Sequence, residues 1–450
     1  MPPTNQSSER PAVQQRDGPA RRPSGLCTPL VFDPRKIVQS LRAMNPIERN
    51  DRIWSTFAGF VAPVFGSLLS VLVWGAFVWN MVSAAIGRYP LRLGRIGVAC
   101  TAVVAAYGAV KLGFTVVHTG LEGWRLWPAF LLYFAPAFYL FRQHVSDGNA
   151  LFDMLVLGAG LSVTVAAPLA GLETLLMDQR AQLFCGNANV FAVMAALFGS
   201  IGALNVLASS NRRRWLGLIA FLAMVFCVLV SGRRTMWLAL PMLTIVIVWV
   251  AARVVPRRLL WRGLAATLVA MAIGIVAGSG LLWDRISDIG DDVAKMEQAQ
   301  DYETSTGRRI LLWRGAWLAV SQAPLAGYGV AGRMDAVRSF VPEQYHHLVG
   351  FTHPHNAYLA ALLDAGILGL VALLAMLSAP VWLAVMAPRD AMWQPRLAAG
   401  IILTLCYAVS GTAGIMFEHD LMDAAFVVVL IAIAASAADA ELRSTRAAAV

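Results

Sequence analysis

Long apolar runs constrain this chain more than any other feature. They fall at about 54–86, 96–117, 124–141, 150–171, 187–208, 215–231, 235–252, 263–283, 355–378, 395–416 and 424–441. Most are roughly 16–26 residues, enough as helix to cross a hydrocarbon core of about 30 Å. Helix is also the form that satisfies such backbones inside lipid. Composition agrees: 58% of residues are hydrophobic and only 14% are charged, with a mean hydropathy of +0.63. A water-soluble surface usually draws on about 25% charged residues, so a soluble enzyme and a disordered chain are excluded. An outer-membrane barrel is excluded as well, because its strands would read as short alternating segments. The expected fold is an all-α polytopic membrane protein.

Charge orients the runs. Arg212-Arg213-Arg214, the group Arg253, Arg257, Arg258 and Arg262, and Arg389 with Arg396 mark cytoplasmic turns by the positive-inside bias. The loops 118–125, 174–186 and 418–423 are poorer in arginine and hold acids, which sets them outside. Counting back places Arg88, Arg92 and Arg95 in the cytoplasm with the basic tail. That requires 54–86 to hold two short helices meeting near Gly66-Ser67. The count becomes twelve crossings with both termini inside.

The expected organisation is a disordered basic cytoplasmic tail over 1–52, eight transmembrane helices over 53–283, a periplasmic loop over 284–354, four transmembrane helices over 355–441 and a cytoplasmic tail over 442–450. The first tail has eight prolines and nine Lys/Arg and can end in an interfacial helix from Pro34 to Arg52. It lacks the apolar core of a cleavable signal, so the first membrane helix is expected to direct insertion. The loop 284–354 has nine acidic and seven basic residues, unlike a cytoplasmic turn. Its segment Arg309–Gln322 reads as an amphipathic helix ended by Ala323-Pro324. The net charge of +10 and pI near 9.8 follow from the cytoplasmic loops facing membrane lipids, and call for no nucleic acid. The five cysteines have no metal or disulfide spacing.

Some charges sit where they are costly. Ser231-Gly232-Arg233-Arg234 falls at an outer helix end, against the bias elsewhere. Each arginine either snorkels to lipid phosphates or helps form an anion site, where a planar guanidinium suits phosphate. Arg308-Arg309 opens the loop helix, where the helix dipole disfavours positive charge; it is an exposed helix start or a second anion contact. Lys111, in the outer third of its run, can snorkel or meet phosphate. His353 and His355 stand where the loop re-enters the membrane. A histidine there can cap or line a pocket, or take a proton from a hydroxyl. No metal motif is present, and Asp291-Asp292 is a loose acidic pair.

Several spacings combine. His355-Asn356 is followed by nine residues and then Gly366-Ile367-Leu368-Gly369. Trp313 lies four residues beyond Arg309, ahead of Pro324-x-x-Gly327-x-Gly329. Gly186-Asn187-Ala188-Asn189 and Ser231-Gly232-Arg233-Arg234 lie upstream. Together these resemble the bacterial O-antigen ligase and polymerase family over roughly residues 95–440. The doubled arginines leave two choices for each matching position; Arg309, for its spacing to Trp313, and Arg233 are favoured.

The resemblance implies a metal-independent, cofactor-free inverting glycosyltransferase at the periplasmic face of the inner membrane. Its donor would be a glycan on undecaprenyl pyrophosphate. Its acceptor would be a sugar hydroxyl, on lipid A core for a ligase or on another repeat unit for a polymerase. His355 and Arg309 would be catalytic, and Arg233, Arg234, Arg308 and Lys111 would bind pyrophosphate. Asn356, Gly366, Gly369 and Trp313 would serve as motif or structural residues. A protein O-glycosylation enzyme is a smaller branch of the same reading. A lipid-linked glycan flippase is the reading from another class, although such folds usually show two related halves and no repeat is visible here.

Overall fold

The computed structural model describes residues 42–120, 130–258 and 302–448, with a few isolated residues besides. Its described secondary structure is entirely helical. The tail before residue 42 lies almost wholly outside these stretches, as do the expected crossing 263–283, the pair Asp291-Asp292 and the start of the loop through residue 301.

Helix α1 (Pro46–Phe65) starts where Asn45 accepts from the Ile47 N–H and Pro46 presets the first helical φ. The expected boundary at residue 53 therefore falls inside a helix. Gly66 ends α1 at φ +54 and ψ −121. The carbonyl of Phe184 packs so closely on it that a Cβ would lie 1.8 Å from that oxygen, so only glycine turns the chain here. Helix α2 (Leu68–Ala85) follows. Arg142 then binds Asp51 near the start of α1 and Asn80 near the end of α2. The two helices therefore form a hairpin whose tip is Gly66-Ser67, as the charge pattern requires.

Helix α3 (Arg95–Thr119) matches the second run. The third run, 124–141, departs from expectation. Its described part is a 3₁₀ turn Leu132–Phe134, a six-residue helix α4 (Ala135–Leu140) and a second 3₁₀ turn Phe141–His144. Pro136 lies in the first turn of α4, where its missing N–H breaks no helical hydrogen bond.

Helices α5 (Gly148–Met177), α6 (Ala188–Ala203), α7 (Asn211–Val230) and α8 (Arg234–Ala251) follow the next runs. Asp147, Asn187 and Ser210 cap α5, α6 and α7 with side-chain oxygens. Helix α1 packs on α5 at Gly59 and Gly158, where added Cβ atoms would meet Leu155 and Thr56 carbonyls at 2.5 and 2.1 Å. Small residues allow that approach between membrane helices. Helices α9 (Ser305–Gln322) and α10 (Gly329–Ser339) build a second, smaller core from Leu311, Leu312, Ala316 and Val337, joined by Val349 from the 3₁₀ segment Glu343–Val349. Helices α11 (Ala357–Met386), α12 (Trp393–Gly411) and α13 (Asp420–Ala448) complete the bundle. Helices α6 and α13 are apolar and buried nearly all round, and so form its axis.

Eight of the described spans are long and apolar enough to cross a bilayer: α2, α3, α5, α6 with its extension to Leu207, α7, α8, α11 and α13. Helix α1, with Glu48, Arg49, Asp51 and Arg52 in its first turns, is not among them. Nor is α12, which opens Trp393-Gln394-Pro395-Arg396.

Helix α11 is broken within its apolar run. Ala365 and Gly366 leave helical geometry, with Gly366 at φ +58 and ψ −148. Unwound backbone at membrane depth needs partners from protein, and the turn after α9 supplies them. The Ile367 N–H donates to the Pro324 carbonyl at 2.8 Å, and the Leu363 carbonyl accepts from Tyr328 N–H at 2.6 Å. The small core of α9 and α10 is thereby fastened to the bundle.

Polar side chains collect at both ends. At one end buried Arg213 pairs with Asp153 at 2.7 Å, and Asp390 binds Arg396 and Arg443 at 2.6 and 3.1 Å. The other end carries His353 and His355.

Candidate active site

Three elements bring their charges together at the histidine end. Before α8, Ser231 donates to the Val228 carbonyl at 2.7 Å and accepts from the Arg233 N–H at 3.3 Å. This tight turn, with Gly232 at φ +63, aims Arg233 inward. Its Nη2 donates to the Ala413 carbonyl at 2.7 Å. Arg234 begins α8 and is exposed, so of this pair it is Arg233 that faces in.

Helix α9 sorts its own pair in the same way. Thr304 caps it by accepting from Gly307 N–H at 3.0 Å. Arg308 turns outward to Glu303 at 3.3 Å. Arg309 has no carboxylate partner among the described residues, and its charge acts on Arg233 and on His355.

His355 sits at the end of the loop that enters α11, at φ +52. This left-handed geometry costs a side-chain-bearing residue roughly 1–2 kcal/mol. Both flanks hold it there. Trp313 on α9 donates its indole N–H to the Pro354 carbonyl at 2.9 Å. Asn356 caps α11 by accepting from Tyr358 and Leu359 N–H at 3.0 and 3.1 Å. The Asn356 amide also donates to the Thr412 carbonyl at 3.4 Å. Consecutive carbonyls, Thr412 and Ala413, thus tie the histidine loop and Arg233 to one stretch of chain.

The ring of His355 lies edge-on to Phe351 and His353, with centroids 4.7 and 4.5 Å away. Burial lowers its pKa below the ordinary histidine value, and the Arg309 and Arg233 guanidiniums lower it further. His353 is pushed to about 4, chiefly by burial and then by His355 and Arg333. Burial also lowers Arg233, aided by Arg309 and Arg180. Both rings are therefore neutral near pH 7, beside cations that repel one another.

Sequence reasoning missed Arg180. It follows α5, and its side chain lies across Gly232, where a Cβ would meet its Cδ and Nε at 3.2 Å. Glu173 pins the loop by accepting from Gln182 and Leu183 N–H at 3.0 and 2.9 Å. A signal existed: Arg180 is the lone basic residue of the loop 174–186, which the charge count places outside. Asn189, from the Gly186–Asn189 motif, approaches Gly414 beside Arg233. Among the described residues, Asn189 Oδ1 and Arg233 Nε are buried without a hydrogen-bond partner.

Lys111 is placed differently from expectation. It is 3% exposed and bound to both Asp364 and Glu418, so its ammonium is already neutralised and does not face an open phosphate site. Gly366 and Gly369 are packing residues. Added Cβ atoms would meet Pro324 and Leu325 backbone near 2.5 Å and the Ala361 carbonyl at 2.2 Å. Among the described residues no group of three or more His, Cys, Asp or Glu is arranged to hold a metal ion.

Fold and site together define the class: a polytopic all-α membrane protein with an arginine–histidine cluster at one end of its bundle. Residues 219–374 match the family model described as O-antigen ligase. The segment contains Arg233, Arg309, Trp313 and the histidine loop, whereas Lys111, Arg180 and Glu418 lie outside it. A Haemophilus influenzae protein described as "Uncharacterized protein" is 22% identical over 196 residues, 42% of this chain and 49% of the relative. The match thus spans about half the length of that curated relative.

Proposed function

We propose that this protein transfers a glycan from undecaprenyl pyrophosphate to a sugar hydroxyl at the periplasmic face of the inner membrane, as an O-antigen ligase acting on lipid A core. One observation carries the reading. Arg180, Arg233 and Arg309 act on one another or on His355, and none has a carboxylate partner among the described residues. Mutually repelling guanidiniums beside orphaned polar atoms are satisfied by a polyanion. The twelve-crossing topology with 284–354 outside belongs to this proposal, because it sets the cluster at the outer face.

The chemistry follows from the residues. Neutral His355 takes the proton of the acceptor hydroxyl as its oxygen attacks the anomeric carbon. The bond from that carbon to the phosphate oxygen breaks, and its electron pair leaves on undecaprenyl pyrophosphate. Arg233 and Arg309 stabilise the growing charge without needing a metal, and Arg180 adds a third positive charge at the rim. A single displacement inverts the anomeric centre. The exposed Arg234 and the Glu303-paired Arg308 are left as outer contacts for the lipid phosphate, and Lys111 is removed from that set.

The test uses purified protein in lipid nanodiscs with an undecaprenyl-pyrophosphate-linked glycan and lipid A core, with and without EDTA. Transfer that survives chelation and fails in His355→Ala supports the proposal. Transfer abolished by EDTA and restored by Mg²⁺ or Mn²⁺ would sink the arginine mechanism. A repeat-unit polymerase shares these residues, and a deletion strain separates the two. A ligase loses every O-antigen band and accumulates lipid-linked polymer; a polymerase leaves a single-repeat band.

A further inference from the structure

Below the histidine loop lies a closed set of four charges that the transfer step does not use. Lys111 on α3, Asp364 on α11, Arg333 on α10 and Glu418 ahead of α13 are 3%, 1%, 4% and part exposed. Lys111 binds both carboxylates. Arg333 also binds both: Nη1 donates to each Asp364 oxygen at 3.2 Å, and Nη2 meets Glu418 Oε2 at 2.9 Å. Two cations and two anions cancel. Burial alone would raise the Glu418 carboxyl, but Arg333 and Lys111 outweigh it and hold it below its ordinary value.

Buried ion pairs add little stability over apolar packing, and fixing one specific geometry is among the uses proposed for them. The remaining donor of Arg333 indicates what is fixed here. Its Nε donates to the Thr352 carbonyl at 3.1 Å, three residues before His355. Asp364 stands beside the break in α11, where the turn leading into α10 is docked. The set therefore runs from membrane helices, through one guanidinium, to the backbone of the histidine loop.

We propose that Arg333 is a positioning residue: held by Asp364, Glu418 and Lys111, it clamps the Thr352–Asn356 loop so that the His355 ring meets the acceptor. The inference rests on the transfer function proposed above. A guanidinium is needed because one group must bridge two carboxylates and a carbonyl in fixed directions; an ammonium keeps the charge but lacks that fork. Trp313 holds the same loop from its other side through Pro354.

The experiment measures transfer by wild type, Arg333→Lys, Trp313→Phe and the double variant, each first shown monodisperse by size exclusion. Arg333→Lys should lower kcat about tenfold or more while KM for the lipid-linked donor stays within about twofold, because the residue acts on geometry and not on donor binding. The double variant should be no more than about threefold slower than the slower single variant, since a loop already released is not released again. Unchanged kcat, a rise in KM alone, or losses that multiply would overturn the clamp. If Arg333→Lys fails to fold, the charge-neutral pair Arg333→Gln with Glu418→Gln takes its place under the same criteria. Wild type that transfers no glycan would instead defeat the functional reading, and the clamp with it.

Discussion

The indole N–H of Trp313 donates to the carbonyl of Pro354, 2.9 Å away and 41 residues further along the chain. The next residue is His355, in a left-handed backbone conformation uncommon for a residue with a side chain. Trp313 belongs to a helix that also carries Arg309, so one rigid element sets both the proposed base and a guanidinium beside it.

Trp313→Phe keeps an aromatic ring and removes that one donor. A typical hydrogen bond contributes about 0.5–1.5 kcal/mol, so the melting temperature should fall by only a few degrees. The transfer rate should fall further, by about tenfold, because misplacing a reacting group is costly in rate. Melting curves and kcat measured on the same preparation check this. A variant as fast as wild type would detach Trp313 from the site.

The acidic limb of the pH–rate profile should lie low. As the proposed base, His355 must be neutral, and burial together with Arg309 and Arg233 lowers its pKa. In kcat/KM, which reports the free enzyme, activity should fall only as pH drops below 6.5, the ordinary histidine value. In kcat the limb should sit higher, because bound pyrophosphate offsets the two arginines. Arg309→Gln should raise the free-enzyme limb of whatever activity remains. A free-enzyme limb at or above 6.5 in wild type would remove His355 as the base.

Much of the fold was open to reading because apolar length is a local signal. The runs near α3, α5, α7 and α8 lie close to the observed helices, and Arg88, Arg92 and Arg95 already demanded the turn at Gly66. The run 124–141 is helical over its described part, but apolar content does not signal the 3₁₀ turns on either side of its short α-helix. At the site, the family resemblance favoured Arg309, for its spacing to Trp313, and Arg233. Local spacing left Lys111 open because ion pairing is not local: its partners are 253 and 307 residues away. Lone charges in apolar runs at Lys111 and Asp364 each signalled a cost, but no periodicity says which pairs with which.

Within each arginine pair the effects should be unequal. Arg233→Lys and Arg309→Lys each lose a fork aimed inward and should cut kcat by about 10²–10³-fold, as when a donor to developing charge is removed. Arg234→Lys and Arg308→Lys alter an exposed residue and one paired outward with Glu303, and should stay within about threefold. Arg180→Ala should mainly raise KM for the donor, since its charge sits at the rim. Equal losses within a pair would contradict the facing assigned to it.

Gly366→Ala tests the fastening between the small core and the bundle. At φ +58 and ψ −148 the backbone lies in a region open in practice to glycine alone, which costs another residue about 1–3 kcal/mol. The new methyl would also stand 2.4–2.5 Å from Leu325 and Pro324 backbone, so the turn must leave α11. The Ile367–Pro324 and Tyr328–Leu363 hydrogen bonds would be lost, freeing backbone groups in the apolar layer. Helix α10 would shift with that turn and draw Arg333 off Thr352. The expected result is a clearly lower melting temperature together with near-complete loss of transfer. Gly350→Ala is the control: φ is −71 there and no atom lies within 4 Å of the added methyl, so stability and rate should be unchanged. Equal behaviour of the two variants would mean that the break in α11 does not carry the histidine loop.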